Sequence, residues 1–469
     1  MCRYWIVVAA LLQLAYCEHL PKSLEWSTNC EEGYSLCGTL EFCNAGAVYG
    51  YVLSGQDCVP GPGPILRLIP GNRYKLTLSN KADETTNIHA HGLHISGSGN
   101  GDDVTRHVAP GHCISYTWDI GAEHPSGTNW YHAHQHGQTA VQVQGGAFGL
   151  LIVEDAPLKQ KLPKAIELWQ KNEKILVVTG KERQYSRRKH SGAARGNGVL
   201  NDQFEFVANE WYRLRVSIVD PDGHPKPLTF GPACTAHLVA RDGIWRSTIP
   251  APAATKYELP GSARADFAVQ CVHKGAVSPI LFDGDVVASI NVVAGAQTAA
   301  SPFDNGAAWE PERSAYLADT LEASVPARNQ YRVETTERAI NGLEWDARVP
   351  HREVAFGEVH EWTLLMTHHH PFHLHVYHMQ VATPGGCGAH EYGEWYDTIA
   401  AEGACRVRFR SADVGERVVF HCHVLRHEDG GAMGWVDVQG PSMPKNLADG
   451  TDHLCAGPAL HARHQPVPA

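Results

Sequence analysis

The chain has 469 residues, of which 43% are hydrophobic and 19% charged, with 45 glycines, 28 prolines and 29 histidines. One hydrophobic core rarely extends beyond roughly 250 to 300 residues, so we expect two to four domains. A formal net charge of -11 argues against a nucleic-acid partner, because nucleic-acid-binding surfaces are basic.

The first 17 residues, MCRYWIVVAALLQLAYC, have the pattern of a secretory signal peptide. Arg3 precedes an apolar run, and small residues follow near Ala15. The run is shorter than the roughly 20 residues that cross a bilayer, so no transmembrane segment is predicted. We therefore expect a secreted protein, located outside the cell or in the periplasm or cell wall.

Short apolar runs separated by Gly, Pro, Asn and Asp turns continue through most of the chain. The runs YKLTLSN, CISYTWDI and AFGLLIVED are examples, and no helical pattern of ten residues interrupts them. Two joins, DAPLKQKLPKA and GAQTAASPFDNGAAWEPE, lack periodicity and are typical of linkers. The sequence thus predicts an all-β chain of three consecutive Greek-key β-sandwiches. The predicted divisions are a signal peptide 1–17, domains 18–157, 163–297 and 310–445, and a C-terminal tail 446–469.

Histidines recur at a spacing of two residues. In a strand, side chains i and i+2 point to the same face, so H-x-H places two imidazoles near one point. Chance would give about two such pairs in this composition. Six occur, all in the first and third units: His89/His91, His132/His134, His134/His136, His368/His370, His373/His375 and His421/His423. This excess predicts metal sites.

The stretch FHCHVLRHED, residues 420–429, carries ligands on both faces of one predicted strand. His421 and His423 would face one side and Cys422 the other, so one tripeptide can serve two metal sites placed back to back. A thiolate with two imidazoles suits a blue-copper electron-transfer centre. His427, on the loop that follows, and His370, just before a strand, would complete that centre.

The sequence resembles the multicopper oxidases, the group of laccases, bilirubin oxidases and spore-coat oxidases. The resemblance covers about residues 45 to 440 and rests on four motifs in order: HAHG at His89, WYHAH at Trp130, HPFHLH at His370 and HCHVLRHED at His421. It implies three cupredoxin-like domains. It also implies an oxidoreductase that takes electrons from a phenol, an aromatic amine or a low-valent metal ion at a type 1 copper. Four electrons would then reduce dioxygen to two waters at a type 2/type 3 trinuclear copper cluster.

Matched motif by motif, the resemblance assigns ligands for about four coppers without a gap. His370, Cys422 and His427 would bind the type 1 copper, and His89 and His373 the type 2 copper. The type 3 pair would take the six that remain: His91, His132, His134, His375, His421 and His423.

Two carboxylates stand where the family keeps acids that supply protons for dioxygen reduction. They are Glu428, next to His427, and Asp102, in the loop GNGDDV. Asp103 is the alternative if the register slips by one, and a loop ion pair or an Asx turn is the alternative role.

The remaining charged and imidazole groups have no motif position. We expect these histidines to support ligands or to lie on the surface: His94, His136, His368, His369 and His378. Glu391, Glu394 and Asp397 could form an acidic approach for a metal-ion substrate, although a charged edge loop is more common.

The axial position of the type 1 copper departs from the family, which usually has Met, Leu or Phe ten residues after the cysteine. Here that position is Ala432, and Met433 follows. Gly430 and Gly431 could let the loop shift by one residue. We expect Ala432 at the axial site, because a one-residue slip would turn Met433 to the opposite face.

Cysteine usage favours an oxidising compartment. Of 13 cysteines, ten remain when the signal peptide and the metal-facing Cys422 are set aside, an even number that fits disulfides. The candidates are a cluster near the mature N-terminus and two local pairs: Cys30, Cys37, Cys43 and Cys58, then Cys234 with Cys271 and Cys387 with Cys405. The connectivity within the cluster stays open.

Two other classes of protein are disfavoured. A two-domain copper nitrite reductase lacks a third unit and the full type 3 ligand set, and a copper-free wall or adhesion protein would lack ligands. We expect a monomer that uses dioxygen and a small reducing substrate, whose identity the sequence leaves open.

Overall fold

The computed structural model of the chain describes residues 20–155, 172–181, 192–247, 253–295, 311, 313–440 and 453–454. The predicted signal peptide lies outside these residues. So do nearly all of the two predicted linkers and most of the predicted C-terminal tail.

The first domain packs two sheets of short strands against each other. The five-stranded sheet has the order Val48–Leu53, Leu36–Ala45, Asn72–Asn80, His112–Ile120 and His453–Leu454, and the four-stranded sheet has the order Gly63–Leu68, Phe148–Val153, Gly127–His132 and His89–His91. The strand His453–Leu454 belongs to the predicted tail, so this part of the tail contributes to the first domain.

The second and third domains repeat the same two-sheet plan. In the second domain the sheets are Arg195–Gly196, Glu173–Thr179, Trp211–Val219, Arg264–Cys271, Cys234–Arg241 and Ile244–Trp245, then Asp202–Val207, Asp285–Val293, Val277–Phe282, Lys226–Phe230 and Lys256–Leu259. In the third domain they are Gln330–Glu334, Val359–Leu365, Cys405–Arg410, Met379–Val381 and Trp395–Tyr396, then Arg352–Ala355, Met433–Gln439, Glu416–Cys422, Phe372–Leu374 and Thr398–Ile399.

Each of the six sheets contains one parallel strand pair among antiparallel ones. In one sheet of each domain the first strand in sequence runs parallel to a central strand, as Leu36–Ala45 does beside Asn72–Asn80. The second sheet of each domain has its own parallel pair. Three sandwiches with one topology confirm the predicted all-β class of three consecutive cupredoxin-like domains. The boundaries 18–157, 163–297 and 310–445 stay predictions.

The domains meet through a shared apolar cluster that also fixes a short helix. Trp130 of the first domain and Ile175 and Val219 of the second pack with Leu425 of the third. Leu425 begins the helix Leu425–Asp429, which replaces the loop expected around His427. A five-residue helix is not stable alone, but burying its leucine contributes about 1.5–3 kcal/mol. The other α-helix among the described residues is Thr139–Gly145, and 3-10 turns occupy Ala315–Leu317 and Ala327–Asn329.

Four disulfides join described cysteines: Cys30–Cys37, Cys43–Cys58, Cys234–Cys271 and Cys387–Cys405. Cys113 is disulfide-bonded as well. Both predicted local pairs are therefore confirmed. In the N-terminal cluster, the first cysteine is bonded to the second and the third to the fourth. Disulfides are consistent with an extracellular or periplasmic location. Among the described residues, no helix has the length and apolar character needed to cross a membrane.

Candidate metal centres

Two strand pairs, one from the first domain and one from the third, bring eight histidines into one buried cage. His89 lies opposite His132 on antiparallel strands, and His373 lies opposite His421 in the same way. Directly opposed residues share a face of the sheet, so each pair adds two imidazoles on one side. The remaining members follow by alternation along the chain or just beyond a strand end: His91, His134, His375 and His423. All eight are at most 1% exposed.

Within this histidine cage the imidazoles of the two domains lie close together. His89 and His373 have their Nε2 atoms 3.4 Å apart. Ligand atoms lie within 4.8 Å of one another in three overlapping groups: His89, His91 and His132; His89, His373 and His375; and His134, His375 and His421. The rings of His91, His132 and His423 are also neighbours, with centroids 5.2–5.9 Å apart.

The tautomers of the cage are set by groups outside it. Three Nδ1–H groups donate to backbone carbonyls, those of His132 to Ala133 at 3.0 Å, His421 to Cys422 at 3.0 Å and His373 to Asp397 at 2.9 Å. Each bond leaves the Nε2 lone pair free to bind a metal ion.

Burial and orphaned nitrogens show that the cage fits metal ions. No hydrogen-bond partner from the described residues reaches His132 Nε2, either ring nitrogen of His375 and His423, or His91 Nδ1. Buried polar atoms without partners are rare in folded proteins, because each costs free energy. Burial also lowers the pKa of His375 well below its usual value, which keeps the ring in the neutral form that metals bind.

A second, separate cluster consists of His370, Cys422 and His427. The Cys422 Sγ atom lies 3.7 Å from His370 Nδ1 and 3.6 Å from His427 Nδ1, and those two nitrogens are 3.2 Å apart. Cys422 is fully buried and is the free cysteine of the described residues, whereas His370 and His427 are 9% and 8% exposed. Burial raises the pKa of the Cys422 thiol, so its thiolate needs a bound cation.

The strand Glu416–Cys422 joins the two clusters. His421 points into the cage, and the thiol of Cys422 points to the opposite side, toward His370. Cys422 packs with Val424 and Ala432, and its N–H donates to the Ala432 carbonyl at 3.0 Å. Met433 packs in a different apolar cluster, with Val104, Val419 and Trp435. Ala432 is thus the residue beside the thiol, in agreement with the expected register.

Both predicted carboxylates contact the cage. Asp102 lies 2.7 Å from His89 Nδ1 and 3.3 Å from His375 Nδ1. Glu428 lies 3.3 Å from His134 Nδ1 and 3.1 Å from His421 Nδ1. Burial raises the pKa of both carboxyls well above the usual value.

The alternative to Asp102 has another role. Asp103 accepts hydrogen bonds from the backbone and hydroxyl of Thr105 at 3.1 and 2.6 Å, as in an Asx turn. The register therefore does not slip, and the structure brings Asp102 to the cage.

A third buried carboxylate, Asp397, was not assigned to the cage from the sequence. Its Oδ1 lies 3.3 Å from His91 Nε2, and its carbonyl accepts the His373 Nδ1–H. It does not form an acidic approach with Glu391 and Glu394. Those residues bind Arg246, and Glu394 also accepts the Ser247 N–H. Because Asp397 lies in a charged stretch of sequence, its burial against the cage could not be predicted.

The five histidines without a motif position lie outside both clusters. His94 stacks on Tyr316 with ring centroids 3.6 Å apart, and His378 Nε2–H donates to the Asp242 carbonyl at 2.7 Å. His136 lies 6.2 Å from the Trp345 ring. His368 and His369 are exposed beside His370.

Comparisons with known proteins agree with this arrangement. Two family models described as multicopper oxidase match residues 60–157 and 320–442. The multicopper oxidase mco of Staphylococcus haemolyticus is 24% identical over 394 residues, which cover 80% of this chain and 82% of that protein. The cell division protein FtsP of Yersinia pestis is 23% identical over 412 residues, 81% of this chain and 84% of that protein.

Solved structures share the fold. A laccase from Pediococcus acidilactici superposes with a TM-score of 0.72 at 19% identity, covering 90% of this chain and 93% of that one. A multicopper oxidase from Campylobacter jejuni, described as a metallo-oxidase, gives a TM-score of 0.66 at 18% identity, covering 90% and 95%.

Proposed function

The chain belongs to the multicopper oxidase family, and on this premise we propose that it is a laccase-like oxidase holding about four coppers. Family membership implies copper-dependent oxidation with dioxygen as the electron acceptor. When bound, the coppers supply four one-electron oxidations of a small substrate and the reduction of dioxygen to two waters. His370, Cys422 and His427 would hold the type 1 copper. His89 and His373 would hold the type 2 copper. We assign three histidines to each type 3 copper: His91, His132 and His423 to one, and His134, His375 and His421 to the other.

The single observation that carries the proposal is the completeness of two ligand clusters joined through one tripeptide. Ten imidazoles and one thiol converge in two clusters, and several nitrogens of the cage have no hydrogen-bond partner among the described residues. The relatives also include a cell division protein, so the proposal for this chain depends on the ligand set as well as on the family. A chain that had lost copper binding would not be expected to keep every ligand.

Electrons would enter at the exposed edge of the type 1 site. His370 and His427 are the least buried of the ligands, at 9% and 8% exposed. Burial lowers the pKa of His427 to about 4, so its ring is neutral at pH values well above 4. The path inward is covalent, because the Cys422 backbone continues directly into His421 and His423.

Glu428 and Asp102 would act on the cage side, as catalytic acids that touch the ligands. Each carboxylate lies against the outward Nδ1 atoms of two histidines. Burial favours the protonated form of both, so each can hold a proton close to where dioxygen would be reduced. All eight cage histidines are at most 1% exposed, so the ligands are shielded from direct contact with bulk solvent.

For the substrate, we propose a small one-electron donor that docks against His427. Three further imidazoles surround this edge, namely His224 of the middle domain and the exposed His368 and His369. The His224 ring donates to the His368 carbonyl at 3.4 Å, and its centroid lies 6.3 Å from that of His369. Imidazoles suit a borderline metal cation, and their faces also suit a phenol or an aromatic amine. Steady-state rates with a phenol, ferrous ion and manganous ion would separate these classes.

The four disulfides support export to an extracellular or periplasmic location, and we propose that the chain acts there as a monomer.

Copper content and colour test the proposed function. Elemental analysis of the copper-loaded protein should give about four coppers per chain, and the protein should be blue and bleach under a reductant without dioxygen. A folded protein that retains one copper or none after loading would overturn the proposal. As a control, His136→Ala changes a histidine outside both clusters and should leave the copper count unchanged.

A further inference from the structure

The middle domain contributes no predicted copper ligand, yet one of its side chains reaches the wall of the cage. Arg264, the first residue of the strand Arg264–Cys271, is fully buried. Its guanidinium donates hydrogen bonds to both carboxylate oxygens of Asp397. Nη1 lies 3.0 Å from Oδ1, and Nη2 donates to Oδ2. It also donates to the carbonyls of Ser262 at 3.0 Å and Thr128 at 3.4 Å. The Arg264 side chain therefore contacts residues of all three domains.

Asp397, which lies in the third domain, contacts one cage histidine of the first domain and one of its own domain. Oδ1 lies 3.3 Å from Nε2 of His91, which belongs to the first domain. The Asp397 carbonyl accepts the Nδ1–H of His373, which belongs to the third. The Thr398 hydroxyl donates to Oδ1 at 3.0 Å. Asp397 is 1% exposed.

The contact with Asp397 sets the orientation of His91. Its Nε2–H donates outward to Asp397, and its Nδ1 atom is buried without a hydrogen-bond partner among the described residues. His132, His373 and His421 have the reverse arrangement, because there Nδ1 donates outward. His91 must therefore present Nδ1 to a metal, and this choice depends on where the Asp397 carboxylate is held.

We propose that Arg264 is a positioning residue of the trinuclear site, which orients His91 and His373 by clamping Asp397 in place. The inference rests on the proposed function, since the ligands that it positions are those assigned there. A guanidinium matches a carboxylate with two parallel hydrogen bonds, a geometry that an ammonium does not reproduce. Without this clamp the buried carboxylate loses its fixed position, and His91 loses the partner that sets its tautomer.

The competing interpretation is that Arg264 only stabilises the domain junction. Arg213 offers a matched control, because it is also a buried arginine of the middle domain in an interdomain ion pair. It binds Asp155 of the first domain and Asp266, with Arg213 Nη2 2.6 Å from Asp266 Oδ2. Asp155 and Asp266 contact no cage histidine in the described residues.

The experiment compares copper binding in Arg264→Lys, Asp397→Asn and Arg213→Lys with the parent protein. Copper affinity is measured by competition with a chelator, the type 2 site by EPR, the type 1 site by its blue absorption, and stability by denaturation of the copper-free form. We expect Arg264→Lys and Asp397→Asn to weaken copper binding at the trinuclear site by about 10- to 100-fold and to change the type 2 EPR signal. The blue absorption should stay, because the type 1 ligands do not contact Asp397.

Arg213→Lys should destabilise the copper-free protein without changing the type 2 signal. Equal losses of copper affinity in Arg264→Lys and Arg213→Lys, or parent-like affinity and EPR in Arg264→Lys, would overturn the positioning role. A parent protein that binds no trinuclear copper would instead refute the proposed function, so the two failures are distinguishable. Should Arg264→Lys not fold, Asp397→Asn with the same readouts decides the matter.

Discussion

The residue beside the Cys422 thiol would determine whether the proposed type 1 copper has a thioether ligand. Ala432 is fully buried against Cys422 and Val424, and its methyl group leaves no thioether there. Ala432→Met adds three heavy atoms to this packed cluster, which should cost about 1–3 kcal/mol in the copper-free protein. In the copper-loaded protein the new sulfur would stabilise Cu(II), so we expect a lower type 1 reduction potential.

Met433→Leu is the matched control for this substitution. Met433 is 1% exposed and packs with Val104, Val419 and Trp435, away from the thiol. A Met-to-Leu exchange nearly conserves volume and should cost less than about 1.5 kcal/mol. The type 1 absorption, EPR splitting and potential should all stay at their parent values.

The assay is a redox titration that follows the blue absorption, together with guanidinium unfolding of the copper-free variants. The reasoning is refuted if Met433→Leu raises the potential markedly while Ala432→Met leaves it unchanged. That pair of results would mean that Met433 already binds the copper and that the loop is shifted by one residue.

Three further predictions concern the thiol, the buried acid and the histidines. Cys422→Ser should abolish the blue absorption and oxidase turnover while leaving the circular dichroism spectrum unchanged; a variant that still turns over would contradict the electron path. Glu428→Gln should slow reoxidation by dioxygen more than anaerobic bleaching by substrate in stopped-flow experiments, and equal slowing of both steps would count against its role as an acid. Burial lowers the pKa of His124 and His390 from 6.5 to about 3, so the unfolded chain takes up protons first as pH falls below 6.5. The copper-free protein should therefore lose up to about 1.4 kcal/mol per histidine per pH unit between pH 6.5 and 3, and a urea midpoint that does not change between pH 7.5 and 5 would refute this.

The two clusters of candidate ligands could be predicted from sequence because their residues follow a strand period and a fixed order of motifs. The alternation of His421, Cys422 and His423 needs only the two-residue period of a strand. The motifs then identified the ligands from the first domain. No local pattern could have predicted that these ligands lie beside His373.

The short helix could not be predicted in the same way. The residues LRHED form barely one turn, too few for an apolar period to become visible. The helix Leu425–Asp429 exists because Leu425 enters a cluster built by Trp130 and Ile175 of the other domains. This is tertiary packing, and it decides where His427 and Glu428 point.

The Arg264–Asp397 pair shows the same limit at longer range. The two residues are 133 positions apart and lie in different domains. In the sequence Asp397 belongs to a charged stretch, which usually lies on the surface. Only the packing of three domains makes it a buried carboxylate whose partners are an arginine and two cage histidines.

The crowding of ligands around Cys422 has a mechanical consequence. The strand Glu416–Cys422 is flanked on both sides, by Phe372–Leu374 and by Met433–Gln439, so its position in the sheet is fixed. His421 and Cys422 are consecutive residues on that strand, and so the distance between the two metal clusters is set by covalent geometry. The ligands that differ in exposure, His423 and His427, lie on the segments that follow this strand. His423 turns into the buried cage after the strand and is 1% exposed, whereas the helix places His427 nearer the surface, at 8%. In the proposed oxidase, this rigid centre would let electrons enter beside His427, while dioxygen would be reduced in the buried cage.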